Sequence, residues 1–225
     1  LFKVNNLKEV YDIFDIVNFS NKLLLTATST KLYRNNWALL WSKKIDYFEY
    51  QIKELAFDKS IIQESVAYYI GLTELAISYV NATNKKFGES KMGKIVLSHR
   101  RVGYPNYKLN FLNPLSFIFD LEVRDVAEYL KVMLFYMDID EVIEELETYL
   151  KIQHLDLYEY QMLLARLIYP TYYFDTYEKV IDKDENAEKL VAIIKKVDDI
   201  EYFLKKAYEM IASYAQIEKI DWFID

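Results

Sequence analysis

The sequence predicts a mainly helical domain that carries one small two-stranded β insertion. Three observations lead there. Gly (4) and Pro (3) are scarce among 225 residues, so few positions break or turn the chain. Long segments keep apolar residues three or four apart, the spacing of one helix face. The helical pattern stops in one place, Ile95 to Leu130, where two apolar runs of strand length flank a polar loop.

Taken in order, Leu1–Leu25 mixes short apolar runs with Asn and Lys, and LKEVYDIFDIV is compatible with helix or strand. Thr26–Asn36 reads as a linker, which sets 1–36 apart from a domain at 37–225. Trp37–Leu55 is a helix, with Trp37, Leu40, Trp41, Ile45, Phe48, Ile52 and Leu55 on one face. Ser60–Val80 is a second helix. It is apolar on much of its surface (Val66, Tyr69, Ile70, Leu75, Ile77, Val80), as expected of a central helix. Gly71 within it costs about 1 kcal/mol relative to Ala, so close packing against a neighbour is expected there. Asn81–Lys94 reads as a loop. Ile95–Ser98 and Leu115–Phe119 read as strands, separated by the loop His99–Pro114 and followed by Asp120. Helices are then expected at Arg124–Tyr136, at Asp140–Ile152 with Asp140 as N-cap, and at Asp156–Ile168 with Asp156 as N-cap and Pro170 marking its end. Asn186–Val197 and Ile200–Ala215 close the bundle, the last with Phe203, Leu204, Ala207, Tyr208 and Ile211 on one face.

Composition limits function. A net charge of −7 argues against general nucleic-acid binding, which needs a positive field. With no Cys and two His, thiolate and His-rich metal sites are excluded. No apolar run reaches the roughly 18–20 residues that span a bilayer, and the first residues lack a signal-peptide cleavage pattern. A soluble, cytoplasmic protein is expected. The chain opens on Leu rather than Met, as a fragment would. On this acidic chain, Lys85–Arg101 carries six cations against one Glu, so Lys94, Arg100 and Arg101 are candidates for holding an anion; a solvated basic loop is the plainer reading. The tyrosines Tyr68, Tyr69, Tyr169, Tyr172 and Tyr173 fit either a ligand cleft or a core with hydroxyls at its margin. The ending Ile220–Phe223 fits either docking on the helices or an exposed anchor.

Four stretches carry a family resemblance: YYIGLTELAISYV (Tyr68–Val80), NPLSFIFDLEVRDVAEYLK (Asn113–Lys131), LLARLIYPTYYFDTYE (Leu163–Glu178) and EYFLKKAYEMIASYAQIEKIDWF (Glu201–Phe223). From about Trp37 onward the chain resembles the C-terminal lobe of the aminoglycoside-phosphotransferase/choline-kinase-like superfamily. More narrowly it resembles the spore-coat-associated, YutH-type kinase-like proteins of endospore-forming Firmicutes. Strand, polar loop, strand, acid and helix is also how that superfamily lays out its catalytic segment. The superfamily loop HGDxxxxN aligns with HRRVGYPN, which matches His99 and Asn106 but puts Arg101 where the catalytic Asp stands. By the same resemblance Asp120 is the metal-site acid, Asn106 its helper, and Asp125 the acid that braces the loop. A guanidinium stays protonated and cannot orient a hydroxyl as a carboxylate does. Nor is there a Gly-rich phosphate loop or a strand lysine of an N-terminal lobe. The resemblance therefore implies a pseudokinase that works by binding, without a cofactor, with protein partners that include spore-coat components. Two alternatives stay open: a small-molecule phosphotransferase using Mg-ATP whose N-lobe lies outside this chain, and an anion-binding helical module built on His99, Arg100 and Arg101. On the plainer reading His99 bonds backbone, the arginines pair with Asp120, Glu122 or Asp125, Asn106 is a turn residue and Asp125 caps a helix.

Overall fold

The computed structural model describes residues 10–21, 34, 36–54, 60–88, 93–103, 111–182 and 188–224. Within them the chain is mainly helical with a single antiparallel β pair. The helices are α1 (Ile13–Asn21), α2 (Trp37–Glu54) and α3 (Ser60–Phe87) before the strands β1 (Ile95–His99) and β2 (Phe117–Leu121). After them come α4 (Val123–Met133), α5 (Ile139–Ile152), α6 (Leu157–Ile168), α7 (Thr171–Asp182), α8 (Glu188–Ile194) and α9 (Val197–Tyr214). Most of the expected linker lies outside the described residues, as do Leu55 and Asn186.

The centre of the bundle is α6, not α3. Every residue from Tyr158 to Ile168 is buried, whereas Ile70, Leu75 and Ile77 on α3 are only partly covered. Helices α3 and α4 pack along α6, and α2 lies on α3. A helix with apolar residues all round can be covered all round, and MLLARLI in α6 meets that condition better than α3 does. The expected α2 face holds for Trp37, Trp41, Ile45 and Phe48, while Leu40 is exposed. The expected α9 face is buried throughout. Helix α1 joins the same core, with Tyr11, Ile13, Ile16 and Phe19 buried against β1 and α4.

Several boundaries differ from expectation for identifiable reasons. Helix α3 runs on through Asn81–Phe87, where no Pro or Gly interrupts it, and ends at Gly88 with φ 69°. Gly71 is exposed, and a Cβ there would touch nothing, so the expected close packing is absent. Close approach occurs at Gly93 instead. Its φ is 56°, and a Cβ would lie 3.1–3.3 Å from Leu121, Glu159 and Tyr158. The second strand starts at Phe117, not Leu115. Asn113 caps a short 3-10 turn, Pro114–Ser116, that leaves Leu115 92% exposed. Asp138, not Asp140, caps α5 in a capping box with Glu141; Asp156 does the same for α6 with Glu159. The stretch after Pro170, which carries no expected element, is helix α7. Pro170 both ends α6 and leads into α7, since its fixed φ suits a helix start.

Register within the β pair sets the site. Ile95 faces Leu121, Val96 faces Asp120 and His99 faces Phe117. The Glu122 N–H donates to Lys94 O at 3.0 Å, closing the pair just before α4. The end of β1 lies beside the start of β2, and Arg124 and Asp125 in the first turn of α4 reach back to it, with Asp120 of β2 within reach of Arg124.

Candidate functional site: a basic cleft at the strand ends

His99 and Asp125 are both buried. The His99 N–H donates to both carboxylate oxygens of Asp125, at 3.1 and 3.0 Å. Its Nδ1 lies 2.6 Å from Asp125 Oδ2, and its Nε2 lies 2.6 Å from Phe111 O. Phe111 stacks on the imidazole and Phe117 meets it edge-on, with Phe19 tilted against it. The imidazole is thus a packed structural group, and Asp125 ties it to the first turn of α4. Asp125 makes this tie from inside the helix; Glu122 holds the cap position.

Asp120 is fully buried. Its Oδ1 accepts from Trp37 Nε1 at 2.8 Å and from its neighbour's N–H, Leu121, at 2.8 Å. Arg124 Nη1 stands 3.4 Å from Oδ2. Burial, only partly offset by Arg124 and Arg166, raises the carboxyl to about 6. Asp120 is thus an ion-pair partner of Arg124, and its Oδ2 accepts no hydrogen bond among the described residues. Asn106 lies outside the described residues.

Arg124 does more than face Asp120. Its Nε donates to His99 O at 3.1 Å and its Nη2 to Arg100 O at 2.9 Å, so α4 grips the backbone that leaves β1. Arg101 pairs with none of the acids expected for it. It makes a two-point ion pair with Asp175 on α7, Nε to Oδ2 at 2.6 Å and Nη2 to Oδ1 at 2.9 Å. Lys44 of α2 shares Asp175 at 3.5 Å and reaches Glu178 at 3.2 Å. Lys94 sits apart: its ammonium pairs with Glu122 at 3.3 Å and its N–H donates to Glu159.

Behind this wall lies a buried charge knot. Glu128 Oε1 accepts from Lys131 at 2.8 Å, Arg166 at 2.6 Å and Thr171 at 3.0 Å. Lys131 also donates to Arg166 O and Tyr169 O, both at 2.9 Å. Burial opposes the charge on Glu128, but Arg166, Lys131 and Arg124 outweigh it and hold the carboxyl far below its ordinary value. Burial, with Arg166 and Arg124 adding to it, brings the Lys131 ammonium down to about 7 against the pull of Glu128. The Arg166 guanidinium also lies over Trp37 and Trp41, 5.0 and 5.5 Å from the ring centroids.

Several of these groups line a cleft of roughly 250 Å³. Its charged lining among the described residues is entirely cationic: Arg34, Lys44, Arg100, Arg101, Arg124 and Arg166. Leu40, Trp41, Ile118 and Tyr169 give it an apolar side, where the Trp41 and Tyr169 rings stack at 4.3 Å. Of the expected anion-binding residues, Arg100 and Arg101 are in the cleft and Lys94 is not. Sequence reasoning missed Arg34, Lys44, Arg124, Arg166 and the acid Asp175. One signal was available: Arg166 is a lone cation inside the apolar run MLLARLI, and a buried cation needs partners.

Comparison with known proteins places the chain. Residues 20–207 match the family described as "Spore coat putative kinase YutH". The chain belongs to this family. It is similar to the Endospore coat-associated protein YutH of Bacillus subtilis (strain 168), 28% identical over 206 residues. The match covers 83% of this chain and 60% of that protein, so the chain spans under two thirds of the relative's length. No solved structure matches it. The family membership agrees with the resemblance read from the sequence at the level of the YutH family. Among the described residues, no helix is long and apolar enough to cross a membrane.

Proposed function

We propose that this chain is a kinase-derived protein without phosphotransfer activity that serves the spore coat by binding. The observation that carries this reading is the state of the two acidic positions a kinase-like site needs. At one stands Arg101, locked to Asp175. At the other, Asp120 is buried, its Oδ1 accepting from Trp37 and the Leu121 N–H and its Oδ2 facing Arg124. A guanidinium accepts no proton, and a carboxylate buried beside another guanidinium is a poor ligand for Mg²⁺. Family membership and the coat-associated relative support the setting. The partners on this reading are proteins of the coat.

Thermal unfolding with and without Mg-ATP tests the reading, on this chain and on the longest natural gene product. A ligand present at 100 times its Kd adds about 2.7 kcal/mol, a readily measured shift. No shift is expected in either protein. A shift that Asp120→Ala abolishes would overturn the reading. It would favour the alternative, a Mg-ATP-dependent phosphotransferase completed by sequence outside this chain. The relative's extra length is the observation that keeps that second reading in play.

A further inference from the structure

We infer that the cleft at the strand ends is a metal-independent site for a phosphate dianion, with the stacked Trp41–Tyr169 wall receiving the organic body of a phosphate ester. This deepens the binding reading above and rests on it, because it assigns the ligand class that the degenerate loop would take.

Charge imbalance is the first support. Around the cleft, Arg34, Lys44, Arg100, Arg101, Arg124, Arg166 and, behind them, Lys131 make seven cations. Among the described residues the carboxylates within ion-pair distance are five: Asp120, Asp125, Glu128, Asp175 and Glu178. Among the described residues cations therefore outnumber carboxylates here, on a chain whose net charge is −7. Glu128 serves two of the cations at once, Arg166 and Lys131. Among the described residues the side chains of Arg34 and Arg100 have no carboxylate partner, and both are exposed at the cleft. A dianion would balance this excess.

Geometry is the second support. The cations come from the end of β1, from α2, α4 and α6, and from the segment before α2, so they surround the space instead of lining one surface. Arg124 and Arg166 are nearly buried and are fixed by backbone carbonyls and by Glu128, so they are oriented before any ligand arrives. Guanidiniums held in this way suit the oxygens of phosphate, which accept paired N–H donors. A magnesium-bound triphosphate carries the same net charge, but the cleft lining among the described residues offers its metal no carboxylate ligand. Trp41 and Tyr169 then favour an aromatic or apolar body on the ester.

The test is calorimetric titration of the intact chain in EDTA at low salt, with phenyl phosphate and inorganic phosphate as the two probes. Saturable binding is expected. Tighter binding of phenyl phosphate assigns the site to an organic ester, and equal binding assigns it to the free oxyanion; both support the site. The substitutions R34A and R100A remove exposed groups without uncovering a buried charge. Each is expected to weaken binding by roughly tenfold or more, the worth of a charge-assisted hydrogen bond. K206A, an exposed α9 residue that does not line the cleft, is expected to change nothing. Raising salt to about 1 M, where the Debye length is about 3 Å, is expected to weaken binding at least as much. Failure of both probes to bind, or binding that R34A/R100A leaves intact, would overturn the inference. Either result would leave the non-catalytic reading standing on its Mg-ATP melt, and a Mg-ATP shift would sink that reading without altering the metal-free titration.

Discussion

Replacing Asp120 with Asn keeps the oxygen that accepts from Trp37 and Leu121 while removing the charge. Burial raises the Asp120 carboxyl to about 6, above its unfolded value near 3.8. Between those two pH values the folded state holds a proton that the unfolded state has lost. Wild-type stability, measured against D120N, is therefore fully present below the unfolded pKa and falls as pH rises through the folded one. The expected loss is roughly 2–3 kcal/mol between about pH 4 and 7, read from urea unfolding at a series of pH values. A gain over that window would mean that Arg124 outweighs burial. Asp125 behaves differently. D125A strands the His99 N–H and removes a carboxylate from Arg124 and the imidazole, so a loss of about 3–5 kcal/mol is expected in the same assay. At this scale the sequence was legible in part. His99 and Asp120 stand out as polar residues at the ends of apolar runs, but the partner of Asp120 is Arg124 and not an arginine of the loop, and the bracing role of Asp125 came from the resemblance. The Arg101–Asp175 pair did not stand out, because 74 residues separate its members and no local pattern links them.

Two glycines separate what a helix requires from what a turn requires. Gly71 lies inside α3 with open space where a Cβ would go, so G71A is expected to stabilise by about 0.5–1 kcal/mol through helix propensity. Gly93 combines positive φ with three close neighbours. G93A is expected to destabilise by at least about 1–2 kcal/mol, and thermal melts of the two variants should move in opposite directions. Loss of either capping aspartate, D138A or D156A, is expected to cost about 1 kcal/mol. Long periodic helices were readable as helices, although α3 runs on through Asn81–Phe87, where a loop was expected. Less readable was whatever depended on tertiary cover. Aromatic and β-branched residues in Thr171–Asp182 give weak helix propensity, yet Tyr173, Phe174 and Tyr177 become a core face once they meet α2 and α3: Phe48 stacks on Phe174 at 4.6 Å and Tyr69 on Tyr173 at 3.8 Å. The five tyrosines first grouped together divide in the same way. Tyr69, Tyr169 and Tyr173 are core, and Tyr169 also borders the cleft. At the chain's end Ile220 and Phe223 dock while Trp222 stays 42% exposed.

Across the molecule, charge is sorted by depth. The chain is acidic overall, yet its interior junction is cationic, and the knot of Glu128, Lys131 and Arg166 joins α4, α6 and the start of α7 through one carboxylate. E128Q leaves two buried cations short of a counter-charge and is expected to destabilise by about 3–5 kcal/mol, with the chemical denaturation midpoint as the readout. A bulk charge of −7 gives no hint of this sorting, since composition sums what the fold separates. One further consequence follows from the way β1 ends. The His99 amide points at a carboxylate that is sealed from water in the first turn of α4. Its proton can exchange with deuterium only when α4 parts from β1. Slow exchange at that one amide, followed by NMR, would therefore report whether the strand–helix junction is closed, and ligand entering the cleft beside it would register as further slowing.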